Sequence, residues 1–397
     1  MALTTGETFW DKTAEAARTF PPLQQNVHTD VLVIGGGMSG TLTAHVLAKA
    51  GKQVTVIDRG AVGEGSSSAN TGLLQYASDT MLSEFVDRIG EKDAVLFYRM
   101  CLEAMDELTE LAGELPDTAE YRLRDSIYYA SSEEDVDKLK REYSYLKKYD
   151  FPAEYLSHAA LQAEYGVDKP AAIRTWHDAE VNPYRFIQAV TEKNVQLGVS
   201  YYEQTEADLH SLEDHMIHTA AGNRISYGAM VLATGYGTVF EEIAHLASIT
   251  QTFALATEPL EEPLWTDRVM VWETKKPYLY FRTTKDGRII AGGLDEKSDA
   301  LHEDPSVIRS KAEEILKEVQ DIFPQADVKI AAAWNSLFGV SRDGLPFIGP
   351  SQSGADVYCL LGYEGNGTCY SMAGAKIILD LIDGVTNEYA AIVDPGR

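Results

Sequence analysis

The residue types and spacing that most clearly indicate chemistry lie near the N-terminal end of the chain. The stretch DVLVIGGGMSG at 30–40 places Gly35, Gly37 and Gly40 directly after an apolar run, and Asp58 follows Gly40 by 18 residues. Such glycines allow a tight turn out of a strand, a close approach of a pyrophosphate to the backbone, and close packing of helix on strand. The helix N-terminus attracts phosphates, and the carboxylate accepts hydrogen bonds from ribose hydroxyls. The pattern predicts a dinucleotide site; the alternative is a tight turn that binds nothing.

Further glycine-rich segments favour a ligand more extended than one strand–helix–strand unit holds. The loop RGAVGEGSSSANTGLL at 59–74 is rich in small and hydroxyl residues, which suit a backbone that lies against a large flat ligand. A flexible surface loop is the other interpretation of its composition. The stretch YGAMVLATGYG at 227–237 and the last helix each add a glycine-rich closure, at Ala233, Thr234 and Gly235 and at Gly362, Gly365 and Gly367 respectively. A nicotinamide-only enzyme would instead continue with further βα units in sequence.

The elements that must position these residues differ along the chain. Residues 31–34 and QVTVID predict two buried strands around a helix that ends at Gly51. In the middle, short strands without intervening helices, such as SIYYAS, TFALAT and VMVWE, predict an antiparallel sheet. A hairpin is expected at 278–293, turned at Asp286 and Gly287. Asn182 before Pro183, and Asp304 before Pro305, predict two capped helix starts.

Composition excludes some classes of partner. Lys and Arg number 34 against 61 Asp and Glu, and the formal charge of -27 argues against nucleic acid or an anionic membrane surface. Three cysteines (Cys101, Cys359, Cys369) without a C-x-x-C spacing indicate a reducing compartment. No basic-then-apolar leader and no apolar run of membrane-spanning length are present. We therefore expect a cytoplasmic protein.

At this level of detail the sequence resembles the D-amino-acid-oxidase-like FAD-dependent oxidoreductases, over about residues 8–390. This family includes glycine oxidase, sarcosine oxidase and γ-glutamylputrescine oxidase, and the N-terminal stretch FWDKTAEAARTFPPLQQNVHTDVLVIGGGMSG resembles the last of these branches. GSSSANTGLL is similar to the serine-rich loop of the family, and DAEVNPYRF to its x-V-x-P-x-R/K segment. DGLPFIGPSQSGADVYCLLGYEGNGT is the most specific match.

The resemblance implies an α/β protein, α+β overall, with a Rossmann-like FAD-binding domain around a central parallel sheet and a substrate domain with a large antiparallel sheet flanked by helices. We expect the FAD-binding domain to be discontinuous. Its ranges are 26–90, 165–240 and 330–397, those of the substrate domain are 91–164 and 241–329, and 1–25 form an N-terminal arm.

The resemblance also assigns the cofactor contacts. It implies non-covalent FAD, because the family cysteine that attaches flavin in sarcosine oxidases matches Ser336 here. The positive N-terminus of the last helix would face the flavin and stabilise its anionic reduced ring. The implied cofactor-binding residues are Gly35, Gly37, Met38, Ser39 and Gly40 for pyrophosphate, Asp58 for ribose, Arg59 and Ala207 near adenine, and Ser67, Ser68, Asn70, Thr71, Gly72, Leu73, Gly362, Gly365, Asn366, Gly367 and Thr368 near the flavin.

The substrate side departs from the family pattern. The arginines that hold a substrate carboxylate in glycine oxidase and its relatives match Gly365 and Phe338 here. Arg282 is a candidate replacement, with a surface or structural ion pair as the alternative role. Glu364 is a candidate to attract a substrate ammonium, against the alternative of a solvated loop acid, and Tyr363 is a candidate wall of an amine pocket.

Other side chains add less. Tyr280 and Phe281 are further candidates for the amine pocket, although aromatic residues on strands more often belong to the core. The histidines of LHSLEDHMIH predict a polar hairpin, and we expect no metal site. The sequence leaves open whether Lys275 or Lys276 serves oxygen activation.

The implied activity is oxidation of a C–N bond of an amine or amino acid, with hydride transfer to flavin N5 and hydrolysis of the imine. The catalytic candidates are Glu364, Tyr363 and Arg282. Oxygen or an unknown acceptor takes the electrons. The alternatives are a dehydrogenase that passes electrons to a quinone or partner protein, and a non-catalytic FAD-binding subunit of a larger complex.

Overall fold

Two β-sheets organise the chain. The computed structural model describes residues 3–13, 17–236, 243–261, 264–298 and 300–397. The stretch 227–237 therefore ends, at Gly237, outside the described residues. One sheet is built mainly from parallel strands and the other mainly from antiparallel strands, as the sequence predicts.

The first sheet has the strand order β17-β18-β11-β2-β3-β8. Strands β18, β11, β2, β3 and β8 pair in parallel, β17 pairs antiparallel with β18, and a hairpin of β9 and β10 extends from β11. The members are β2 (Val27–Ile34), β3 (Val54–Ile57), β8 (Ser200–Tyr202), β9 (Ala207–Glu213), β10 (Met216–Thr219), β11 (Arg224–Leu232), β17 (Phe347–Pro350) and β18 (Val357–Leu361).

The second sheet has the order β1-β16-β12-β15-β14-β13-β5-β7-β4, with β6 paired to β7. Its pairs are antiparallel except β13 with β5. The members are β1 (Thr4–Gly6), β4 (Leu73–Leu74), β5 (Arg122–Tyr129), β6 (Ala153–Ser157), β7 (Ala171–Glu180), β12 (Ala247–Thr257), β13 (Met270–Glu273), β14 (Tyr280–Thr283), β15 (Ile289–Glu296) and β16 (Ile330–Ser341).

Helices cover both sheets, and their starts and buried faces follow local sequence signals. The Asn182 side chain accepts a hydrogen bond from the Arg185 N–H (3.1 Å), and Asp304 accepts one from Ser306 (2.8 Å), so both predicted caps are confirmed. The helices are α1 (Met38–Lys49), α2 (Leu82–Ile89), α3 (Glu91–Gly113), α4 (Val136–Lys148), α5 (His158–Tyr165), α6 (Pro183–Gln196), α7 (Pro305–Ile322), α8 (Gly367–Ile382) and α9 (Ala390–Val393).

The core joins the parallel sheet to α1, α3 and α8. The apolar positions of α3, among them Phe97, Cys101 and Leu108, are fully buried beside the apolar face of α8. Among the described residues no helix is long and apolar enough to cross a membrane. Strands β7 and β16 lie within ranges expected for the cofactor domain but pair in the antiparallel sheet. The division into residue ranges therefore remains a proposal.

Candidate functional site

The larger cavity lies at the carboxyl ends of parallel strands. It has a volume of about 420 Å³ and is lined by Ile34 at the end of β2, Ile57 at the end of β3, Ala233 just after β11 and Gly362 just after β18. Ligands in open α/β sheets bind in this position, because the loops that leave neighbouring strands diverge there.

The turn from β2 into α1 explains why glycines occupy it. Gly35 has φ +110°, and a Cβ there would lie 2.3 Å from the carbonyl oxygen of Ala233. A Cβ on Gly40 would lie 1.8 Å from the carbonyl oxygen of Gly35, so Gly40 serves the packing of helix on strand and does not line the cavity. Gly37, Met38 and Ser39 at the start of α1 do line it.

Asp58 fixes the backbone of the same turn. Its carboxylate accepts hydrogen bonds from the N–H groups of Gly36 and Gly60, both at 2.7 Å, and it lines the cavity. An ionised carboxylate accepts about four hydrogen bonds, so acceptor capacity remains for ribose hydroxyls.

Most of the other expected cofactor residues converge on this cavity. Ser68 does not line it, and its hydroxyl donates to the carbonyl of Gly65; Asn366 lines only a neighbouring cavity. The residues that do line it are Arg59, Ser67, Asn70, Thr71, Gly72, Leu73, Ala207, Ala233, Thr234, Gly235, Gly362, Gly365, Gly367 and Thr368. Ser66, Thr205, Glu206 and Tyr236 also line it and were not expected from the sequence.

Two hydroxyls test whether these residues fit a bound dinucleotide. Within the described part of the chain, the buried Oγ of Ser66 and the Oγ1 of Thr234 have no hydrogen-bond partner, and both residues line the cavity. A buried hydroxyl without a partner costs about 1–3 kcal/mol, which a ligand atom can relieve. The N-terminus of α8, at Gly367 and Thr368, also lines the cavity and is suited to an anion. The lining therefore fits FAD.

A second, smaller cavity adjoins the first. It has a volume of about 140 Å³ and shares its wall with the larger cavity. The residues that line both cavities are Ser66, Asn70, Thr71, Leu73, Tyr236, Glu364 and Gly365. A molecule in the second cavity therefore lies next to a cofactor in the first.

Carboxylates and aromatic rings dominate the second cavity. Asp79, Asp295 and Glu364 line it, and no Lys or Arg is among the lining residues that the structure describes. The aromatic lining comprises Tyr236, Trp272, Tyr278, Tyr280, Trp334 and Phe338. The cavity therefore suits a cation, and its described lining offers no positively charged partner to a substrate carboxylate. Sequence reasoning did not find Asp79 or Asp295, because no local motif surrounds them.

Glu364 lies where the two cavities meet. It adopts φ +73°, and its carboxylate accepts hydrogen bonds from the backbone N–H of Ser341 and from the Ser341 hydroxyl, the latter at 3.0 Å. Burial raises the pKa of Glu364 to about 7, and the nearby Asp79 adds to the shift. The group therefore changes protonation near neutral pH.

Two of the three residues expected to be catalytic do not reach either cavity. Tyr363 is fully buried, and its ring packs edge-on against Tyr236 and Phe347. It follows strand β18 and belongs to the same hydrophobic core as Cys359 and Leu361 of that strand. Tyr280 lines the second cavity, whereas Phe281 belongs to the core of the other sheet.

Arg282 has a structural position. It is 2% exposed, its Nε donates to the carbonyl of Thr71 (2.8 Å), and its guanidinium also donates to the carbonyl of Val181 (2.6 Å). The guanidinium lies 3.9 Å from the carboxylate of Glu180. Its donors are thus engaged by the protein, and it does not replace the absent family arginines.

The remaining candidates are placed as follows. Lys275 pairs with Glu318 at 2.9 Å, and Lys276 lies 4.3 Å from the ring centroid of Tyr278, next to the second cavity. Ser336 lines the second cavity. The described residues contain no cluster of His, Cys, Asp and Glu that would hold a metal ion.

Several known proteins are similar to this chain over most of its length. A protein of Bacillus subtilis (strain 168), provisionally named a Rieske 2Fe-2S iron–sulfur protein, is 25% identical over 98% of this chain and 75% of its own length. The gamma-glutamylputrescine oxidoreductase of Escherichia coli (strain K12) is 23% identical over 97% of this chain and 91% of its own length. The crystal structure of glycine oxidase from Geobacillus kaustophilus superposes with a TM-score of 0.78, at 19% identity, over 93% of this chain and 99% of that one.

The family assignment rests on a match to nearly the whole chain. The family model described as "DAO: FAD dependent oxidoreductase" matches residues 30–381. These residues include the glycine turn, Asp58 and both cavities apart from Leu3. The chain therefore belongs to the DAO family of FAD-dependent oxidoreductases.

Proposed function

We propose that the protein oxidises an amine that lacks an α-carboxylate, at the C–H bond next to the amine nitrogen. The observation that carries this proposal is the second cavity, which adjoins the cofactor cavity and is lined by three carboxylates and no described Lys or Arg. An amino acid would bring its own carboxylate into that negative potential, which is unfavourable. A cationic amine is attracted by it.

Bound FAD would supply the acceptor for the hydride, which carries both electrons away from the amine carbon. The protein residues position the substrate for this transfer. Glu364, at the junction of the cavities, is the carboxylate best placed to hold the substrate ammonium beside the cofactor. When ionised it also accepts the ammonium proton, and the resulting neutral amine has the lone pair that stabilises the iminium product.

Hydrolysis then completes the reaction. Water adds to the iminium carbon, the C–N bond breaks, and a carbonyl product and the released amine or ammonia leave. The aromatic lining, including Trp272 and Tyr280, holds the aliphatic part of the substrate and limits access of water to the cavity before oxidation.

The cofactor is proposed to bind without a covalent link. The family cysteine that would attach flavin is replaced by Ser336, and none of the three cysteines of this chain lines either cavity. Acid precipitation of the holoprotein should therefore release the flavin into the supernatant. Flavin that stays with the precipitate would show a covalent attachment.

The test of the activity is an anaerobic titration of the purified holoprotein with amines and amino acids, monitored by visible absorbance. We expect primary or secondary amines to bleach the flavin band, and glycine and D-alanine to leave it unchanged. Bleaching by amino acids but not by amines would contradict the proposal. A flavin that none of these compounds reduces would favour a non-catalytic FAD-binding subunit.

A second candidate concerns the electron acceptor. Similarity to a protein named for an iron–sulfur centre favours a dehydrogenase that passes electrons to a partner rather than to oxygen. Oxygen consumption during turnover separates the two. Rapid consumption would support an oxidase, whereas turnover only with an added quinone or electron-transfer dye would support a dehydrogenase.

A further inference from the structure

The negative charge of the second cavity extends away from the cofactor cavity. Glu364 lines both cavities, whereas Asp79 and Asp295 line only the second. Asp79 accepts a hydrogen bond from the N–H of Gly365 at 2.8 Å, and its charge acts on both Glu364 and Asp295. The cavity thus has a carboxylate at the cofactor side and two more beyond it.

The part of the second cavity away from the cofactor cavity has the composition of an ammonium site. Asp295 lies on β15, and burial raises its pKa to about 6, with a further contribution from Asp79. The rings of Tyr278 and Tyr280, whose centroids are 5.5 Å apart, line the cavity on the same side. Burial and the charge of Asp295 raise the pKa of both phenols. Aromatic faces beside a carboxylate attract an ammonium group.

Gln75 gives an independent indication of a polar ligand. Its side chain is 7% exposed and lines the second cavity, and its Nε2 has no hydrogen-bond partner among the residues described. A buried amide nitrogen without a partner is costly. Because an amide presents either its oxygen or its nitrogen after a half-turn of the terminal torsion, Gln75 can offer its carbonyl oxygen to an N–H group of a ligand.

The neighbouring cation does not neutralise this charge. The Nζ of Lys276 lies 3.5 Å from the backbone carbonyl of Asp79 and over the ring of Tyr278, and Lys276 is exposed and does not line the cavity. Of the three lining carboxylates, one ammonium at Glu364 would leave Asp79 and Asp295 facing a single exposed lysine. A second ammonium on the substrate restores the balance.

We propose that the substrate is a diamine, an aliphatic chain with two ammonium groups, of which one binds at Glu364 and the other between Asp79, Asp295 and Gln75. This inference rests on the proposed function and names the substrate class of the same cavity. The oxidised carbon is next to the nitrogen held at Glu364, and the distal nitrogen is not consumed.

The test uses the holoprotein and four probes for each chain length from three to six carbons. The probes are the α,ω-diamine, the monoamine, the ω-amino alcohol and the ω-amino carboxylate. Anaerobic flavin reduction gives the rate and the dissociation constant of each. A shift of the thermal unfolding midpoint gives a binding measurement that does not depend on turnover.

We expect the best diamine to bind at least about tenfold more tightly than its monoamine, and the amino carboxylate to bind least.

Two variants on one strand locate the distal site. Asp295→Asn should reduce the preference for diamine over monoamine to within about twofold, because it removes the distal contact that only the diamine makes. Glu296→Gln is the matched control. Glu296 is the next residue on β15 but pairs with Lys311 at 2.7 Å and does not line the cavity, so the diamine preference should persist.

The remaining outcomes are distinguishable. Equal binding of diamine and monoamine to the native chain would overturn the inference, as would an equal effect of Asp295→Asn on both. Tighter binding of the amino alcohol would overturn it in favour of an uncharged group at Gln75. In these cases amines still reduce the flavin, so the proposed function stands. If no amine reduces the flavin, both proposals fail. Because the native series is decisive alone, misfolding of the Asp295→Asn variant would not leave the question open.

Discussion

Glu364 connects the two cavities, and its protonation governs what the substrate cavity attracts. Burial raises its pKa to about 7, and the carboxyl groups that face it, Asp79 and Asp343, act in the same direction. Below that pH the group is neutral and offers no charge to an ammonium. Above it the carboxylate forms and the attraction is present.

The Glu364→Gln substitution tests this role through the pH profile. In the native protein kcat/KM for an amine should rise with pH through about 7, as Glu364 ionises. In the variant the ionisation near 7 should disappear, and kcat/KM at pH 8 should fall by about 10²-fold, which is the lower range for loss of an acid–base group. Steady-state kinetics from pH 5.5 to 9 measure both. A profile that keeps the same rise would assign it to another group.

Asp58 is expected to act on the cofactor rather than on the substrate. Asp58→Ala removes an acceptor for ribose and leaves the N–H groups of Gly36 and Gly60 without their carboxylate. The dissociation constant of FAD should increase by roughly 10- to 100-fold, as expected for a hydrogen bond to a charged group. Flavin fluorescence during reconstitution of the apoprotein measures it.

A matched control for the FAD affinity measurement is Asp30, which lies on β2 away from the glycine turn. Asp30 is exposed, and its carboxylate accepts a hydrogen bond from the N–H of Gln53 at 2.8 Å. Asp30→Ala should leave the affinity for FAD within about twofold of the native value, as for a surface position. Equal losses in the two variants would mean that Asp58 acts only through the stability of the fold.

At the scale of secondary-structure elements, different glycines at the start of α1 serve cofactor binding and helix packing. Gly35 and Gly37 lie at the cavity, whereas Gly40 faces the backbone of Gly35. A side chain at position 40 therefore acts on the contact between helix and strand.

Gly40→Ala should destabilise the protein because its Cβ would meet the Gly35 carbonyl at 1.8 Å. We expect a loss of about 1–3 kcal/mol in the free energy of unfolding, the usual range for overpacking. Denaturant unfolding of the apoprotein measures it. Gly113→Ala is the comparison, since nothing lies within 4 Å of a Cβ there at the end of α3, and it should be neutral or slightly stabilising. If Gly40→Ala is equally neutral, the close packing is not required.

Helix starts and hairpins that depend on neighbouring residues could be predicted from the sequence. Strand pairings that depend on residues far away in the chain could not. The caps at Asn182 and Asp304 follow from side chains next to the helices. The hairpin between β14 and β15 follows from Asp286 and Gly287, and its antiparallel pairing is confirmed. The partners of β7 and β16 depend on strands far away in the chain, and no local pattern specifies them.

The same distinction holds within the site. The cofactor cavity is built around one continuous motif with a known spacing, so its residues could be found. Asp79 follows the short strand β4 and Asp295 lies near the end of β15, and only the assembled fold places both in one cavity. For Arg282 the sequence left two roles open. An arginine on a strand can bind a ligand or support the structure, and only its backbone partners favour the structural role.

At the scale of the whole molecule, Arg282 joins the cofactor segment to the antiparallel sheet. It bonds the carbonyl of Thr71, which lines the cofactor cavity, and that of Val181, which follows β7. Burial lowers its pKa to about 10, so it remains charged at neutral pH. The guanidinium thus holds two regions that are far apart in the chain.

Arg282→Met should cost about 1–3 kcal/mol of unfolding free energy, because it leaves the buried carbonyls of Thr71 and Val181 without their donor, whereas Glu180 keeps its ion pair with Arg124 at 3.0 Å. FAD affinity should fall as well, since Thr71 loses its support. Arg309→Met is a surface comparison, because Arg309 is half exposed and pairs with Glu313 at 3.1 Å on α7. It should change stability by less than about 0.5 kcal/mol. If Arg282→Met barely changed the unfolding free energy, the hydrogen bonds of Arg282 to Thr71 and Val181 would not be required for stability.

The two-residue strand β4 links the binding of FAD to the rigidity of the antiparallel sheet. Leu73 lines both cavities, and β4 pairs with the end of β7 through Leu73 and Glu180. A ligand seated against Leu73 therefore contacts the β4–β7 edge of the antiparallel sheet. Hydrogen–deuterium exchange at the amides of this edge should slow when FAD binds, while the distant helix α7 should exchange at an unchanged rate. The edge would then report cofactor loading before any substrate is known.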